Sequence, residues 1–193
     1  LRADDTSTGR RLLERIVAAD PQMPQAQAWL GTILARDESD DVFLAWHARL
    51  PAEADKHPDI WFARGTWLQR RMEHESAARC FLEAVRRDPN SQAGNYQLAQ
   101  ELLVLGHAEQ AETFLRRSKL LGELVIAGKQ FQVLESTESM RAAAEMCEVL
   151  GMRWEAWAWR QQLLARGALS TRDPLLRDAS VPPFDRQRDS EQE

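Results

Sequence analysis

The chain has 193 residues, of which 44% are hydrophobic and 28% are charged, and its net charge is −5. A chain of this length and composition is expected to be soluble and to form one domain or one continuous repeat array. The acidic balance without a basic stripe excludes the usual nucleic-acid-binding surface, and the apolar stretches are too short to span a bilayer. Helix-forming residues dominate, tyrosine occurs once and alternating strand patterns are nearly absent, so we predict an all-α fold.

The first predicted element is a lone helix over residues 8–20. Leu13 and Ile16 are spaced for one helix face, and Pro21 ends the pattern because proline cannot continue a helix. This segment matches the second helix of a helix pair. Because the chain begins at Leu1 rather than at a methionine, we expect the first helix of that pair to be absent or to lie upstream of a truncated N-terminus.

A period of 34 residues organises the next part of the chain. Pro24 and Pro58 are 34 residues apart, and the same spacing separates Leu34 from Leu68 and Leu68 from Leu102. A repeat of this length is typical of stacked helix pairs. We therefore predict three helix-pair repeats, at 24–57, 58–91 and 92–125.

The second repeat shows why the pattern predicts paired helices. Trp61 and the small Gly65 lie one turn apart in the first helix, and Ala77 and Phe81 lie one turn apart in the second. The small residues leave room for the partner helix to approach closely. Pro89 then ends the second helix.

This second repeat resembles a tetratricopeptide repeat at nearly every signature place, namely Trp61, Gly65, Leu68, Ala77, Phe81, Ala84 and Pro89. The third repeat resembles the family over 92–121. In the first repeat Trp29-Leu30-Gly31 matches, whereas the bulky Phe43 stands where a small residue is expected, and the acidic loop 37–41 is expected to alter the start of the second helix. The resemblance implies about four antiparallel helix pairs in a right-handed superhelical solenoid.

A fourth repeat is displaced by an insertion. Leu150-Gly151 copies Leu105-Gly106 after 45 residues instead of 34, which places 11 extra residues before the fourth repeat. We assign the extra residues to 126–136 and the fourth repeat to 137–168.

Two segments beside the fourth repeat are predicted to be irregular. The second helix of the third repeat is expected to be lengthened and then broken near Gly122 or Gly128. Residues 169–193 have little to bury, so we predict an extended or disordered tail after a repeat array at 1–168. Within this tail, Pro182-Pro183-Phe184 would serve as a linker to a further domain.

The tetratricopeptide resemblance also implies a function. The first helix of each pair lines the concave side of such arrays, and a segment of a partner usually occupies that groove. We therefore predict a protein–protein interaction scaffold that binds a peptide or protein partner in its concave groove. The candidate groove residues are Arg36, Phe62, Thr66, Gln69, Arg70, Tyr96 and Gln100. For Phe62 and Tyr96 the alternative is that they close the seam between neighbouring helices.

One kind of partner is excluded by the residues at the groove positions. Some tetratricopeptide domains hold the carboxylates of chaperone tails with Lys, Asn and Arg from successive first helices. The corresponding places here supply no cation, since they hold Ala28, Thr32, Ala63, Ala93 and Gln97. We therefore expect no binding of chaperone tails.

The alternative function is a structural or self-associating helical module of a larger multidomain protein with intramolecular contacts. Three tryptophans in the last predicted helix are candidates for self-association or for docking of a downstream domain, and otherwise cap the core of the last repeat. Trp154 and Trp157 share a helix face, while Trp159 points elsewhere. The other four tryptophans are expected to be packing residues, at Trp29, Trp46, Trp61 and Trp67.

Arg64 occupies a place that holds leucine in the neighbouring repeats, at Leu30 and Leu98. A charge at a core place needs a partner or must reach solvent. We predict a structural ion pair with a carboxylate of the next helix, and the alternative is that Arg64 reaches the groove beside Phe62.

The sequence predicts neither an enzyme nor a metal or cofactor site. The histidines are scattered, and His74 and His107 both fall at turns where we expect them to be solvated. No cysteine or serine lies in a recognisable nucleophile motif, and no glycine-rich loop is present to hold phosphate. The pattern favours the cytoplasm slightly but leaves the compartment, the partner and the oligomeric state open.

Overall fold

The computed structural model of the chain describes residues 3–37, 39–169, 173 and 175. Over these residues the chain is all-α, with nine α-helices, one short 3-10 helix and no strand, as predicted. The helices are α1 Ala3–Ala19, α2 Pro24–Asp37, α3 Asp40–His47, α4 Pro58–Arg70, α5 His74–Arg87, α6 Gln92–Val104, α7 Ala108–Leu134, α8 Thr137–Leu150 and α9 Arg153–Ala165, and the 3-10 helix is Ala52–Lys56.

The chain forms two compact units, Leu1–Ser118 (unit 1) and Lys119–Glu193 (unit 2), and the boundary between them falls within α7. In unit 1, α2 is paired with α3 and α4 with α5, and the first helices α2 and α4 also pack on each other. In unit 1, α2 to α5 thus form two helix pairs, and α1, which was predicted at 8–20, runs from Ala3 to Ala19.

Glycines in the first helices set how closely each pair packs. A Cβ atom built on Gly31 would lie 2.3 Å from the Trp46 indole, and one built on Gly65 would lie 2.7 Å from the Phe81 ring. An aromatic ring of the second helix therefore packs directly on each glycine. The close approach predicted from the repeat pattern is confirmed.

The helix α3 accommodates the bulky Phe43, which stands where the repeat is expected to have a small residue. In the 34-residue repeat, the position of Phe81 corresponds to His47. It is Trp46, however, that packs on Gly31, so α3 is shifted by one residue relative to the repeat. Phe43 is buried and its ring stacks on Trp67 with centroids 5.0 Å apart. In the first repeat, Phe43 and Trp67 thus form an aromatic contact at the place where the second repeat has a small residue.

Arg64 forms the predicted structural ion pair, but its partner differs from the expected one. Its Nη2 lies 2.6 Å from Oδ1 of Asp55, which belongs to the 3-10 helix before α4 rather than to the next helix. The guanidinium also lies 4.5 Å from the centre of the Trp61 ring. Its Nε donates to Nε2 of His47 at 3.0 Å, and burial together with the Arg64 charge holds the pKa of His47 below its ordinary value.

The helix α7 is continuous for 27 residues, so the predicted break near Gly122 or Gly128 is wrong. A helical glycine costs about 1 kcal/mol relative to alanine, which lowers helix stability without ending the helix. Among the described residues, the glycines with positive φ are Gly106, Gly151 and Gly167. The first two follow α6 and α8, which explains why Leu105-Gly106 and Leu150-Gly151 are copies of each other.

In unit 2, the helices α8 and α9 pack as a pair. Met140 and Leu163 are fully buried between them, and Trp159 packs edge-on against Phe131 of α7 with ring centroids 5.2 Å apart. Trp159 therefore belongs to the core of the last repeat.

Trp154 and Trp157 form a second aromatic pair on α9, with centroids 5.9 Å apart. This contact confirms that they share a helix face, and the packing of Trp159 on Phe131 confirms that Trp159 points elsewhere. Trp154 is exposed and Trp157 half-buried, so this pair lies at the surface of unit 2.

The start of the predicted tail packs on the core of α8 and α9. Leu169 is buried and Leu175 contacts the same core cluster. The carboxylate of Asp173 accepts two hydrogen bonds from Arg141, at 3.1 and 2.8 Å, and these bonds lower the pKa of Asp173. The remainder of the predicted tail lies outside the described residues.

Candidate partner-binding groove

The first helices of unit 1 surround an open groove of about 420 Å³. We call it the first-helix groove. It is lined by Leu13, Trp29, Thr32, Ile33, Asp59, Phe62, Ser91 and Ala93. Its surface therefore combines aromatic and aliphatic side chains with a single carboxylate.

Trp29 is the largest exposed side chain of this groove, and the prediction that it is a packing residue is wrong. It is 61% exposed, whereas its repeat counterpart Ala63 is fully buried against α2. No described first helix precedes α2, so nothing in the described chain covers Trp29 as α2 covers Ala63. Sequence reasoning missed it because a tryptophan in a helical pattern usually indicates a core.

Phe62 and Tyr96 occupy different environments. Phe62 is only 8% exposed, and its ring centroid lies 5.5 Å from that of Phe81, so it closes the helix seam while its edge reaches the groove. Tyr96, on α6, is about half exposed. Of the two candidate aromatic residues, Tyr96 is the one that is accessible to a partner.

Gln69 belongs to a partly buried polar cluster around Glu101. Its Nε2 donates to Oε1 of Glu101 at 2.6 Å and to Oε1 of Gln97 at 3.0 Å. Nδ1 of His74 lies 2.8 Å from the other carboxylate oxygen of Glu101, which is 1% exposed. The expectation that His74 is a solvated turn residue is therefore wrong, whereas His107 is exposed as expected.

Arg70 is engaged in a second polar cluster, around Asp40. The Asp40 carboxylate accepts hydrogen bonds from Nε1 of Trp67 at 2.9 Å, from Arg70 at 3.0 Å and from Arg71. These bonds, with that from Trp67 the largest cause, hold the pKa of Asp40 below its usual value. The acidic loop 37–41 was expected to alter the start of the second helix, and within it Asp40 links the start of α3 to the end of α4.

We expect Asp40→Asn to lower the melting temperature at neutral pH. We also expect the melting temperature of this variant to change less than that of the wild type as the pH is lowered. Because the folded-state pKa of Asp40 is depressed, its stabilising contribution is present above the unfolded pKa of about 3.8 and is lost as pH falls through the folded pKa. The difference from wild type should therefore shrink below pH 4. Circular dichroism melts from pH 7 to pH 2 measure this. Asp41→Asn is the control, since Asp41 lies in the same first turn, and equal effects of the two changes would contradict the role of Asp40.

The remaining candidate groove residues, Thr66, Gln100 and Arg36, lie on the first helices α4, α6 and α2. Thr66 donates through Oγ1 to the carbonyl oxygen of Phe62 at 2.9 Å, Gln100 is half-buried and Arg36 is exposed. The carbonyl oxygen of Arg36 accepts a bond from Arg70. Gln69 and Arg70 thus hold the first helices together, while the open part of the groove is formed chiefly by Trp29 and its neighbours.

The described residues contain no group of three or more His, Cys, Asp or Glu side chains that could hold a metal ion. None of the helices in that part of the chain is long and apolar enough to cross a membrane. The groove offers apolar contact area and a carboxylate, which suits the binding of an apolar side chain next to a cation.

No protein-family model and no curated protein matches the chain. Among solved structures, it is similar to "Crystal structure of MamA", at 13% sequence identity over 85% of this chain and 90% of that chain, with a TM-score of 0.45. The fold is tetratricopeptide-like, because its helices pair and aromatic rings of the second helices pack on Gly31 and Gly65 of the first helices.

Proposed function

We propose that this chain is a protein-interaction scaffold of the tetratricopeptide family that binds a peptide segment in the first-helix groove. The observation that supports this most directly is the exposed Trp29 beside Ile33 and Asp59 in an open groove. Large aromatic side chains are frequent anchors of protein interfaces. Leaving such a ring in water has a free-energy cost that a partner would remove.

The chemistry of the groove favours a particular kind of segment. An apolar side chain of the partner would pack between Trp29 and Ile33, and a neighbouring lysine or arginine would face Asp59. Tyr96 and Gln100 extend the contact along α6, and Arg36 and Thr66 extend it along α2 and α4. A fully buried aromatic ring removes about 150–250 Å² from water, which corresponds to a few kcal/mol at about 25 cal/mol per Å².

The proposal predicts that peptides selected against the full chain depend on the groove aromatics. Random peptides displayed on phage are selected against the immobilised protein, and the affinity of enriched peptides is measured by fluorescence anisotropy. We expect an apolar residue next to a basic one in the enriched peptides. The double change Trp29→Ala/Tyr96→Ala should weaken binding by about tenfold or more, and Asp59→Asn should weaken only peptides that carry the basic residue.

A matched control removes exposed apolar side chains elsewhere. Leu44→Ala/Val133→Ala changes two exposed residues outside the groove and should leave peptide affinity unchanged. Circular dichroism establishes that all variants are folded. If enriched peptides bind the Trp29→Ala/Tyr96→Ala variant as tightly as wild type, the groove is not the binding site.

A further inference from the structure

Unit 2 carries a second groove, which the proposed function does not use. It has a volume of about 400 Å³ and lies between the second part of α7 and the face of α8. We call it the α7–α8 groove. Its lining residues are Leu120, Glu123, Ile126, Ala127, Gln130, Ala142, Glu145, Met146 and Val149. Ile126 and Val149 are more than half exposed, the latter at 71%, so this apolar surface has no cover within the described chain.

The charge of the α7–α8 groove is negative. Glu123 and Glu145 line it, and Glu138 is exposed two turns before Glu145 on the same face of α8. Two positive charges lie nearby. Nζ of Lys119 lies 3.8 Å from Oε1 of Glu123, and Arg141 of α8 interacts electrostatically with Glu145. A complementary surface would therefore be apolar along its centre and basic at its edges.

The outer face of α1 has that complementary character. Leu13 and Val17 pack inward on the core of unit 1, which leaves Leu12 on the outer face with 55% of its surface exposed. Arg11 and Arg15 flank Leu12 and are both exposed. Spacings of three and four residues place all three on one stripe, which runs from Thr8 to Ala19.

Two further charges of α1 are directed away from this stripe. Arg10 and Glu14 form an ion pair at 2.8 Å and line a different cavity, against α2 and α3. The outer stripe of α1 is therefore basic and apolar, and the helix does not carry a balancing carboxylate on that face between Thr8 and Ala19.

The two surfaces also match in length. The α7 residues that line the groove run from Leu120 to Gln130, and the stripe on α1 runs from Thr8 to Ala19. At 1.5 Å per residue both are about 15 Å long. A helix laid into a groove with apolar anchors at these spacings is a common mode of recognition.

We infer that the α7–α8 groove binds the α1 helix of a second copy of this chain. Leu12 of one copy packs between Ile126 and Val149 of the other, while Arg11 and Arg15 face Glu123 and Glu145. The contact joins two different surfaces and is therefore head to tail. It does not involve the first-helix groove, so it stands or falls separately from the proposed function.

The inference predicts self-association that is reversed by exchanging charges. Sedimentation velocity and light scattering across a range of concentrations should show mass increasing with concentration for the wild-type chain and decreasing with added salt. Arg11→Glu/Arg15→Glu and Glu123→Arg/Glu145→Arg should each weaken association by about tenfold or more, because like charges then meet. The chain that carries all four changes should associate again, since opposite charges are restored.

A control with the same change of net charge as Arg11→Glu/Arg15→Glu separates the specific contact from a general charge effect. Arg79→Glu/Arg153→Glu alters two exposed arginines outside both surfaces and should leave association unchanged. Circular dichroism reports the folding of every variant. The inference is overturned if the wild-type chain is monomeric at all concentrations, if the control weakens association as much as the test variants, or if the fourfold variant stays monomeric while folded.

Discussion

Replacing Gly31 by alanine should destabilise unit 1 more than any surface substitution. The added Cβ would lie 2.3 Å from two carbon atoms of the Trp46 indole. The indole has little freedom to move, because its Nε1 donates to Gln27 at 2.9 Å and its ring packs on Phe43 with centroids 5.1 Å apart. Overpacking of this kind costs about 1–3 kcal/mol, so we expect a loss near the upper end in the free energy of unfolding.

Gly9→Ala is the matched control for this substitution. Gly9 lies within α1 of the same unit, and a Cβ built there has no atom within 4 Å. Alanine is the better helix former by about 0.5–1 kcal/mol, so this change should stabilise the protein slightly. Urea unfolding followed by tryptophan fluorescence compares the two variants. Equal stability of both would mean that the seam between α2 and α3 can relax around a methyl group.

The tight seams are the part of the fold that the sequence predicts best. The 34-residue period aligns Gly31 with Gly65, and a small residue at a repeated helical place has few uses other than close packing. The positions of Gly106 and Gly151 likewise follow from their repeat, since both end a first helix with positive φ. These features depend on residues within one repeat, so the repeat pattern of the sequence is enough to predict them.

Features that depend on neighbouring repeats were harder to predict. Whether Trp29 is buried depends on which helix lies beside α2, and the repeat pattern does not show that. The contact of Gln69 with Glu101 joins residues 32 positions apart, so it depends on the rotation between α4 and α6. The continuity of α7 through Gly122 and Gly128 depends on backbone angles, which composition does not specify.

Two candidate groove residues are instead polar ties, for a reason that follows from the same geometry. Adjacent first helices approach each other closely, so long polar side chains on them reach across to the neighbouring repeat. Arg70 reaches the carboxylate of Asp40, and Gln69 reaches that of Glu101. These two residues fix α4 to the neighbouring helices, while Trp29 and Tyr96 are exposed.

The buried Glu101 makes Gln69 the most sensitive of the polar ties. Gln69→Leu keeps the volume but removes the amide that donates to Oε1 of Glu101 at 2.6 Å. Glu101 is 1% exposed, so water does not replace the lost donor, and His74 remains beside the other carboxylate oxygen. Hydrogen bonds to charged groups contribute about 1.5–3 kcal/mol, and we expect Gln69→Leu to lower the free energy of unfolding by about that amount.

A second substitution tests whether the loss of stability comes from the Glu101 carboxylate left without a donor or from the glutamine contact itself. In Gln69→Leu/Glu101→Leu both partners are apolar, and replacing both partners of a buried polar contact is often nearly neutral. His74 is partly exposed and can then bond to water. The double variant should therefore be more stable than Gln69→Leu alone in urea unfolding. If it is less stable, the cluster contributes through packing rather than by satisfying a buried charge, and the polar tie between α4 and α6 loses its physical basis.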